Sequence, residues 1–206
     1  MAKKSSSARW KQRQFSDPYV LKAQKEGWRS RAVYKLEELD RKQRLFRKGG
    51  VVVDLGAAPG GWSQYAVQKV RPDGRVIALD LLEIEPLEGV EFMQGDFTED
   101  AALQQLLATL GERKADLVMS DMAPNISGMR SVDQPRSMYL AELALDLSVK
   151  TLKSGGAFVT KVFMGEGFDE LVRSCREQFD NVKVQKPAAS RAESRETYIA
   201  ARGYRL

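Results

Sequence analysis

The sequence contains no histidine and only one cysteine among its 206 residues. Without histidine, the chain lacks the most common general base and the most common metal ligand of proteins. The single Cys175 excludes an internal disulfide, and together with the missing histidines it excludes an ordinary zinc site. We therefore assign no metal ligands, and acid–base chemistry must come from Asp, Glu, Lys, Tyr or a metal-bound water.

Long apolar runs are also missing. No segment approaches the roughly 18 consecutive apolar residues that a membrane span needs, and the start of the chain lacks the apolar core of a secretory signal. Hydrophobic residues make up 43% and charged residues 30% of the chain, which is ordinary for a globular protein. We expect a cytoplasmic protein without a membrane partner, and the lone cysteine fits that reducing compartment.

Positive charge is concentrated in the first quarter of the chain. Residues 1–48 hold 15 Lys and Arg against 5 Asp and Glu, although the whole chain carries a net charge of only +5. The remainder is therefore mildly acidic, and this separation indicates a polyanion-binding segment. We expect a basic, flexible arm over residues 1–27 and a single domain over residues 28–206, with no obligate protein partner.

Apolar, strand-like runs alternate with helical patterns along the rest of the chain, which predicts an α/β fold with a mostly parallel sheet and helices on both faces. Two final runs without a helix between them predict a terminal hairpin, giving seven strands of which one is antiparallel. A tract with proline at both ends, residues 123–135, predicts a long loop of the kind that shapes binding sites. The predicted strands are 51–56, 75–80, 90–96, 115–121, 157–163, 181–187 and 197–206, and the predicted helices are 30–44, 61–70, 99–110, 136–152 and 167–179.

A glycine-rich turn, DLGAAPGGW (54–62), follows the first strand and opens a helix. Such a turn serves NAD, FAD, S-adenosylmethionine or simple chain reversal, because glycines such as Gly56 allow tight turning and close approach of a ligand. Asp54 at the strand tip would repel a pyrophosphate but suits a cationic ligand. Asp80 and Asp96 end the next two strands, where carboxylates accept from ribose hydroxyls or an adenine amino group. Each aspartate alone could be a helix cap, but together they favour S-adenosylmethionine.

The residues after the fourth strand limit which kind of atom could accept the methyl group. Asp121-Met-Ala-Pro-Asn lacks the aromatic residue typical of enzymes that methylate base nitrogens. Cys175 lies within a helical pattern, where a packed side chain is the better interpretation than a nucleophile for carbon methylation. Methylation of an oxygen atom is the alternative that remains after nitrogen and carbon. Lys161 interrupts an otherwise apolar strand, where a lysine is costly unless it is paired or functional.

Five segments of the chain strongly resemble the FtsJ/RrmJ family of RNA ribose 2′-O-methyltransferases. The resemblance assigns a catalytic tetrad of Lys35, Asp121, Lys161 and Glu196, and it implies a Rossmann-like S-adenosylmethionine-dependent methyltransferase fold. It also implies cofactor contacts from Gly60, Trp62, Asp80, Asp96 and Asp121, beside Asp54 and Gly56 of the turn. The matching segments are EGWRSRAVYKLEEL (26–39), VVVDLGAAPGGWSQ (51–64), SDMAPNISG (120–128), VTKVF (159–163) and SRETY (194–198).

The resemblance is greatest to bacterial members that methylate a uridine in the A-loop of 23S rRNA, and it implies that substrate, in the 50S subunit. Methylation of a tRNA anticodon loop and a catalytically silent, RNA-binding assembly factor stay open as alternatives. An NAD-dependent oxidoreductase is disfavoured by Ala58-Pro59 in the glycine turn. Lys161 would either accept the hydroxyl proton or orient the hydroxyl and stabilise its developing charge.

Overall fold

The computed structural model of the chain describes residues 17–206, so the basic tail predicted before Asp17 lies outside the described residues. Thirteen helices and strands follow one another in these residues. Their bounds are α1 Pro18–Glu26, α2 Val33–Gln43, β1 Val51–Leu55, α3 Gly61–Val70, β2 Arg75–Asp80, β3 Val90–Gln94, α4 Asp100–Leu110, β4 Ala115–Ser120, α5 Arg130–Thr151, β5 Leu152–Phe163, α6 Phe168–Gln178, β6 Phe179–Gln185 and β7 Glu196–Tyr204.

The seven strands form one sheet in the order β3-β2-β1-β4-β5-β7-β6. β7 lies between β5 and β6 and is antiparallel to both, while β1 to β5 pair in parallel. The prediction of a mostly parallel sheet with one antiparallel strand is therefore confirmed. Because β7 runs the opposite way, its first residues lie at the same edge as the last residues of β1, β4 and β5.

Two apolar layers cover the two faces of the sheet. Val53, Leu55 and Ile77 pack with residues of α4, α5 and α6 on one face. Val52 and Val76 pack with residues of α1, α2 and α3 on the other face. All five residues of β1 are buried, which explains why the strand reads as a continuous apolar run rather than as an alternation.

The structure corrects two boundaries of the sequence prediction. Helix α1 lies within the segment predicted to be a flexible arm, where the Asp17 side chain accepts from the Tyr19 N–H and Gly27 ends the helix with φ of 76°. Helix α5 begins at Arg130, so the predicted loop is shorter than 123–135 and Pro135 lies inside the helix. Pro135 has no N–H to donate, so the hydrogen bond to the carbonyl four residues earlier is missing at this point of the helix. No helix in residues 17–206 combines the length and apolar character of a membrane span.

Candidate active site

The turn after β1 lines two neighbouring cavities at the carboxyl edge of the sheet. The first, of about 50 Å³, is lined by Ser30, Ala32, Asp54, Gly56, Ala57, Ala58, Pro59, Gly61, Trp62 and Asp121. The second, of about 490 Å³, shares Ala58 and Pro59 with the first and is otherwise lined by Arg29, Leu82, Glu83, Ile84 and Glu85. Ligands of open α/β sheets bind at this edge, so the two cavities are the candidate cofactor site.

Two glycines of the turn are required by its geometry. Gly56 has φ of 73° and Gly60 has φ of 107°, a backbone region that other residues rarely adopt. A Cβ added at Gly56 would lie 2.2 Å from Cγ of Met122, and one at Gly60 would lie 2.9 Å from Cδ1 of Leu87. Any larger residue at either position would therefore strain the turn and displace the segments that enclose the cavities.

Asp54 is a buried carboxylate at the end of β1. Its Oδ2 accepts from the Ser63 hydroxyl at 2.6 Å, and only 1% of the residue is exposed. Burial, and to a smaller extent the nearby carboxylates of Asp121 and Asp80, raise its pKa to about 7 despite the Ser63 hydrogen bond. The ionised form is therefore unfavourable until a positive charge comes close.

The other predicted cofactor residues are placed differently. Both carboxylate oxygens of Asp80 accept backbone N–H groups, Oδ2 from Ala58 and Oδ1 from Leu82, at 2.8 Å each. Asp80 therefore holds the glycine turn against the end of β2. Oδ1 of Asp96 accepts from the N–H and hydroxyl of Thr98. Asp96 is not among the residues that line the smaller cavity. The Trp62 indole N–H donates to the Ala32 carbonyl, and its buried ring packs against Tyr198 with the ring centroids 6.0 Å apart.

The structure brings the four residues of the predicted tetrad together as two ion pairs. Lys35 Nζ lies 2.6 Å from Glu196 Oε1. Lys161 Nζ lies 3.2 Å from Asp121 Oδ1 and donates to the Asp121 carbonyl at 2.6 Å. The side chains are 10 to 19% exposed, so the charges are shielded from water but still reachable from outside.

Tyr198 joins the two pairs, and the sequence prediction missed it. Its hydroxyl donates to Asp121 Oδ1 at 2.6 Å, and Lys35 Nζ lies 5.8 Å from the centre of its ring. Tyr198 pairs with Lys161 across β5 and β7, which points both side chains to one face, and Glu196 two residues earlier shares that face. This alternation from Glu196 was the signal that could have identified Tyr198.

The two ion pairs act on each other electrostatically. Burial alone would raise the pKa of Glu196, but Lys35, the Ser190 hydroxyl and Lys161 together hold it below its ordinary value. Burial and the carboxylates of Asp121 and Glu196 raise the pKa of Tyr198 well above its ordinary value, so it stays a protonated donor. The cluster therefore presents two ammonium groups and two carboxylates as one charged unit beside the cofactor cavity.

Comparison with known proteins shows the family of the chain. The FtsJ-like methyltransferase family model matches residues 28–204, nearly the whole chain. The chain belongs to the FtsJ-like methyltransferase family.

Full-length relatives support the assignment to this family. Ribosomal RNA large subunit methyltransferase E of Legionella pneumophila is 54% identical in strain Corby and 55% identical in strain Paris. Both comparisons span all 206 residues and 100% of each chain. A solved structure from Plasmodium falciparum, assigned as a ribosomal RNA methyltransferase, superimposes with a TM-score of 0.78 at 28% identity, over 86% of this chain and 98% of that one.

Arg29 is a second residue of this FtsJ-like chain that the sequence prediction left without a role. Its guanidinium donates to the carbonyls of Pro59 at 3.2 Å, Glu85 at 2.6 Å and Pro86 at 3.0 Å. Its own backbone N–H donates to the Gln64 side chain at 2.8 Å. Arg29 therefore ties the glycine turn to the segment after β2, the two walls of the larger cavity.

Cys175 is a packed residue rather than a reactive one. Cys175 is fully buried in α6, and burial raises the pKa of its thiol to about 12. It is therefore a packed side chain and not a nucleophile, as the sequence predicted. Within residues 17–206, no group of three or more Asp, Glu or Cys side chains lies in an arrangement that would hold a metal ion.

Proposed function

We propose that this chain transfers a methyl group from S-adenosylmethionine to the 2′-hydroxyl of a uridine ribose in 23S rRNA, in the A-loop of the 50S subunit. The observation that carries the proposal is the pair of ion pairs, Lys35 with Glu196 and Lys161 with Asp121, beside the cofactor cavity. Family membership supports methyl transfer. The names of the full-length Legionella relatives support ribosomal RNA of the large subunit as the substrate.

The residues around the cavities fit S-adenosylmethionine better than a dinucleotide. Burial raises the pKa of Asp54 to about 7, so a positive neighbour would favour its ionised form. The amino and sulfonium groups of this cofactor would supply that positive charge. A pyrophosphate would be repelled by the Asp54 carboxylate. We assign Asp54, Gly56, Gly60 and Trp62 to the methionine end, with Asp80 and Asp96 toward the ribose and adenine. The cofactor, when bound, would supply an electrophilic methyl carbon whose bond to the positively charged sulfur breaks on transfer.

A third cavity, of about 330 Å³, supports an RNA substrate. It is lined by Arg31, Lys35, Arg191, Glu193, Ser194 and Glu196, so it opens directly beside the tetrad. Arg31 and Arg191 both lie near the Asp17 carboxylate, at 3.2 and 3.5 Å. Guanidinium groups bind phosphate through paired N–H donors. We assign this cavity to the backbone of the target nucleotide, and the basic N-terminal arm to more distant phosphates.

In this mechanism, Lys161 acts on the ribose hydroxyl. Asp121 fixes two of its N–H bonds through the carbonyl and Oδ1, which directs the third toward the substrate. The ammonium then orients a lone pair of the 2′-oxygen and stabilises negative charge that develops there. Glu196 holds Lys35 through one carboxylate oxygen, and we assign Lys35 to a contact with the nucleotide. The hydroxyl proton passes to a carboxylate of the cluster or to water, and correct alignment supplies much of the rate increase.

Substitutions of Lys161 test this mechanism. Lys161→Ala should lower methyl transfer by at least about a hundredfold, as removal of a charge-stabilising donor does, while the affinity for S-adenosylmethionine stays unchanged. Lys161→Arg should retain measurable activity, because arginine keeps the charge but cannot accept a proton near neutrality. Lys183→Ala, on the exposed face of β6, is the matched control and should behave as the unaltered protein. Full activity of Lys161→Ala would refute the site.

Mapping of ribose methylation tests the substrate. RNA from cells that lack this chain should lose one methylated uridine in the A-loop of 23S rRNA, and expression of the unaltered chain should restore it. The Lys161→Ala variant should not restore it. If the missing methyl group were in a tRNA anticodon loop, the assignment to ribosomal RNA would be wrong.

A further inference from the structure

The segment between β4 and α5 is held rigidly beside the reacting groups. Its anchor is Asp133 in the first turns of α5, which is only 5% exposed. One Asp133 oxygen accepts from the backbone N–H and the hydroxyl of Ser127, both at 2.8 Å, and the other from the N–H of Gly128 at 3.0 Å. The three hydrogen bonds fold the segment back onto the helix. The same segment begins at Asp121, so it leads directly away from the tetrad.

This rigid segment borders an apolar surface that faces solvent. A shallow cavity of about 390 Å³ is lined by Pro124, Pro135, Arg136, Tyr139 and Leu140, and we call it the Tyr139 surface. Tyr139 is 54% exposed, and Ile126 and Met129 of the neighbouring segment are each 60% exposed. A fixed loop that holds large apolar side chains in water is typical of a binding surface.

The charge around the Tyr139 surface favours a nucleic acid as its occupant. Arg136 lines the cavity, and Arg130 is exposed at the start of α5. Between residues 122 and 140 the only acidic residue is Asp133, whose oxygens are engaged by the loop. An exposed aromatic ring flanked by arginines is the usual platform for an unstacked base and its phosphate.

The size and position of the surface agree with a base of the substrate itself. A stable protein interface takes about 20 to 30 residues from each partner, whereas five residues line this shallow cavity, which suits a small group such as one base. Pro124 follows Asp121 by three residues, a distance of at most about 11 Å along the chain. Stacked nucleotides rise by about 3.4 Å each, so this distance corresponds to about three nucleotides.

We propose that an unstacked base of the RNA, within a few nucleotides of the methylated ribose, stacks on Tyr139 with Arg136 at its phosphate. The proposal rests on the RNA substrate proposed above and adds a second contact that determines which ribose enters the site. A duplex cannot present a free base face, so the surface selects a loop or an opened strand over a paired helix.

A series of substitutions at Tyr139 separates stacking from simple apolar contact. Tyr139→Phe keeps the flat ring and should bind RNA as the unaltered protein does. Tyr139→Leu keeps the apolar character without the ring, and should weaken RNA binding and raise KM for RNA by about fivefold or more, the lower range for one lost base stack. The affinity for S-adenosylmethionine should not change. Val184→Ala, an exposed apolar residue on β6, is the matched control.

The series is measured with a protein-free 23S transcript and with large ribosomal subunits from cells that lack this chain, by equilibrium binding and by methyl transfer. Equal RNA affinity of the Tyr139→Leu and unaltered proteins on both RNAs would refute the stacking proposal. A different outcome would identify a ribosomal protein as the occupant instead. In that case Tyr139→Leu would bind normally and Tyr139→Asp would lose binding, and the loss would occur with ribosomal subunits but not with the transcript. If the unaltered protein methylates neither RNA, the proposed function is wrong, and the binding series still decides whether Tyr139 stacks on RNA.

Discussion

The buried carboxylate of Asp54 makes cofactor affinity depend on pH. In the ligand-free protein its pKa is raised to about 7 by burial and by Asp121 and Asp80. A cofactor that places positive charge beside it favours the ionised form, so binding at acidic pH must first remove a proton. The affinity for S-adenosylmethionine should therefore rise with pH up to about 7 and then level off.

The size of this effect follows from the fraction of Asp54 that is ionised before binding. With a pKa of about 7, that fraction is about 3% at pH 5.5 and 50% at pH 7. The association constant should consequently increase about 15-fold between these two pH values. The range lies below the usual pKa of an α-amino group, about 7.7 to 8.0, so the amino group of the cofactor stays charged throughout.

Titration calorimetry between pH 5.5 and 7 measures both the affinity and the protons released on binding. The Asp54→Asn variant should bind more weakly and lose the slope. Asp96→Asn, just after β3, should keep the slope even if its affinity falls, because Asp96 is not the buried group. A flat profile for the unaltered protein, or an unchanged slope in Asp54→Asn, would refute the placement of Asp54 against a cationic ligand.

Four further predictions follow from the described contacts. Ionisation of Asp54 opposes folding of the ligand-free protein as pH rises from about 4 to 7, so Asp54→Asn should be more stable than the unaltered protein at pH 8, by at most about 4 kcal/mol in chemical unfolding. Tyr198→Phe loses the hydrogen bond to Asp121 and should lower kcat about tenfold at unchanged cofactor affinity. Arg29→Ala removes three hydrogen bonds between the cavity walls and should weaken cofactor binding about tenfold in calorimetry. Deletion of residues 1–16 should weaken RNA binding and flatten its dependence on salt, and an unchanged salt slope would contradict the basic arm.

The sheet could be predicted from the sequence because its strands are buried on both faces. Runs such as residues 51–55 and 75–80 are nearly continuous in apolar residues, and the missing helix before the last run indicated the antiparallel strand. Helix α1 was missed although Asp17-Pro18 and Gly27 are good start and stop signals. Its apolar face is narrow, with Ala23 as its single buried residue, so periodicity gave little indication of it.

The types of residue in the candidate site could be predicted from the sequence, but the contacts between them could not. Lys161 was conspicuous because it interrupts an apolar strand, and Asp121 because it follows one. The hydrogen bond from Tyr198 to Asp121 depends on the register of β5 against β7, which no local pattern specifies. The three carbonyl acceptors of Arg29 belong to segments 30 to 57 residues away. Because every residue has a backbone carbonyl, the sequence does not indicate which ones accept.

The placement of β7 between β5 and β6 has a consequence for synthesis. The strand that carries Glu196 and Tyr198 is made after the other six strands of the sheet, yet it lies between two of them. The glycine turn and strands β1, β2 and β3 all precede β7 in the chain. A nascent chain that still lacks β7 cannot yet pair Lys35 with Glu196 or hold Asp121 through Tyr198. The complete candidate site therefore forms only after β7 has been translated and has paired between β5 and β6.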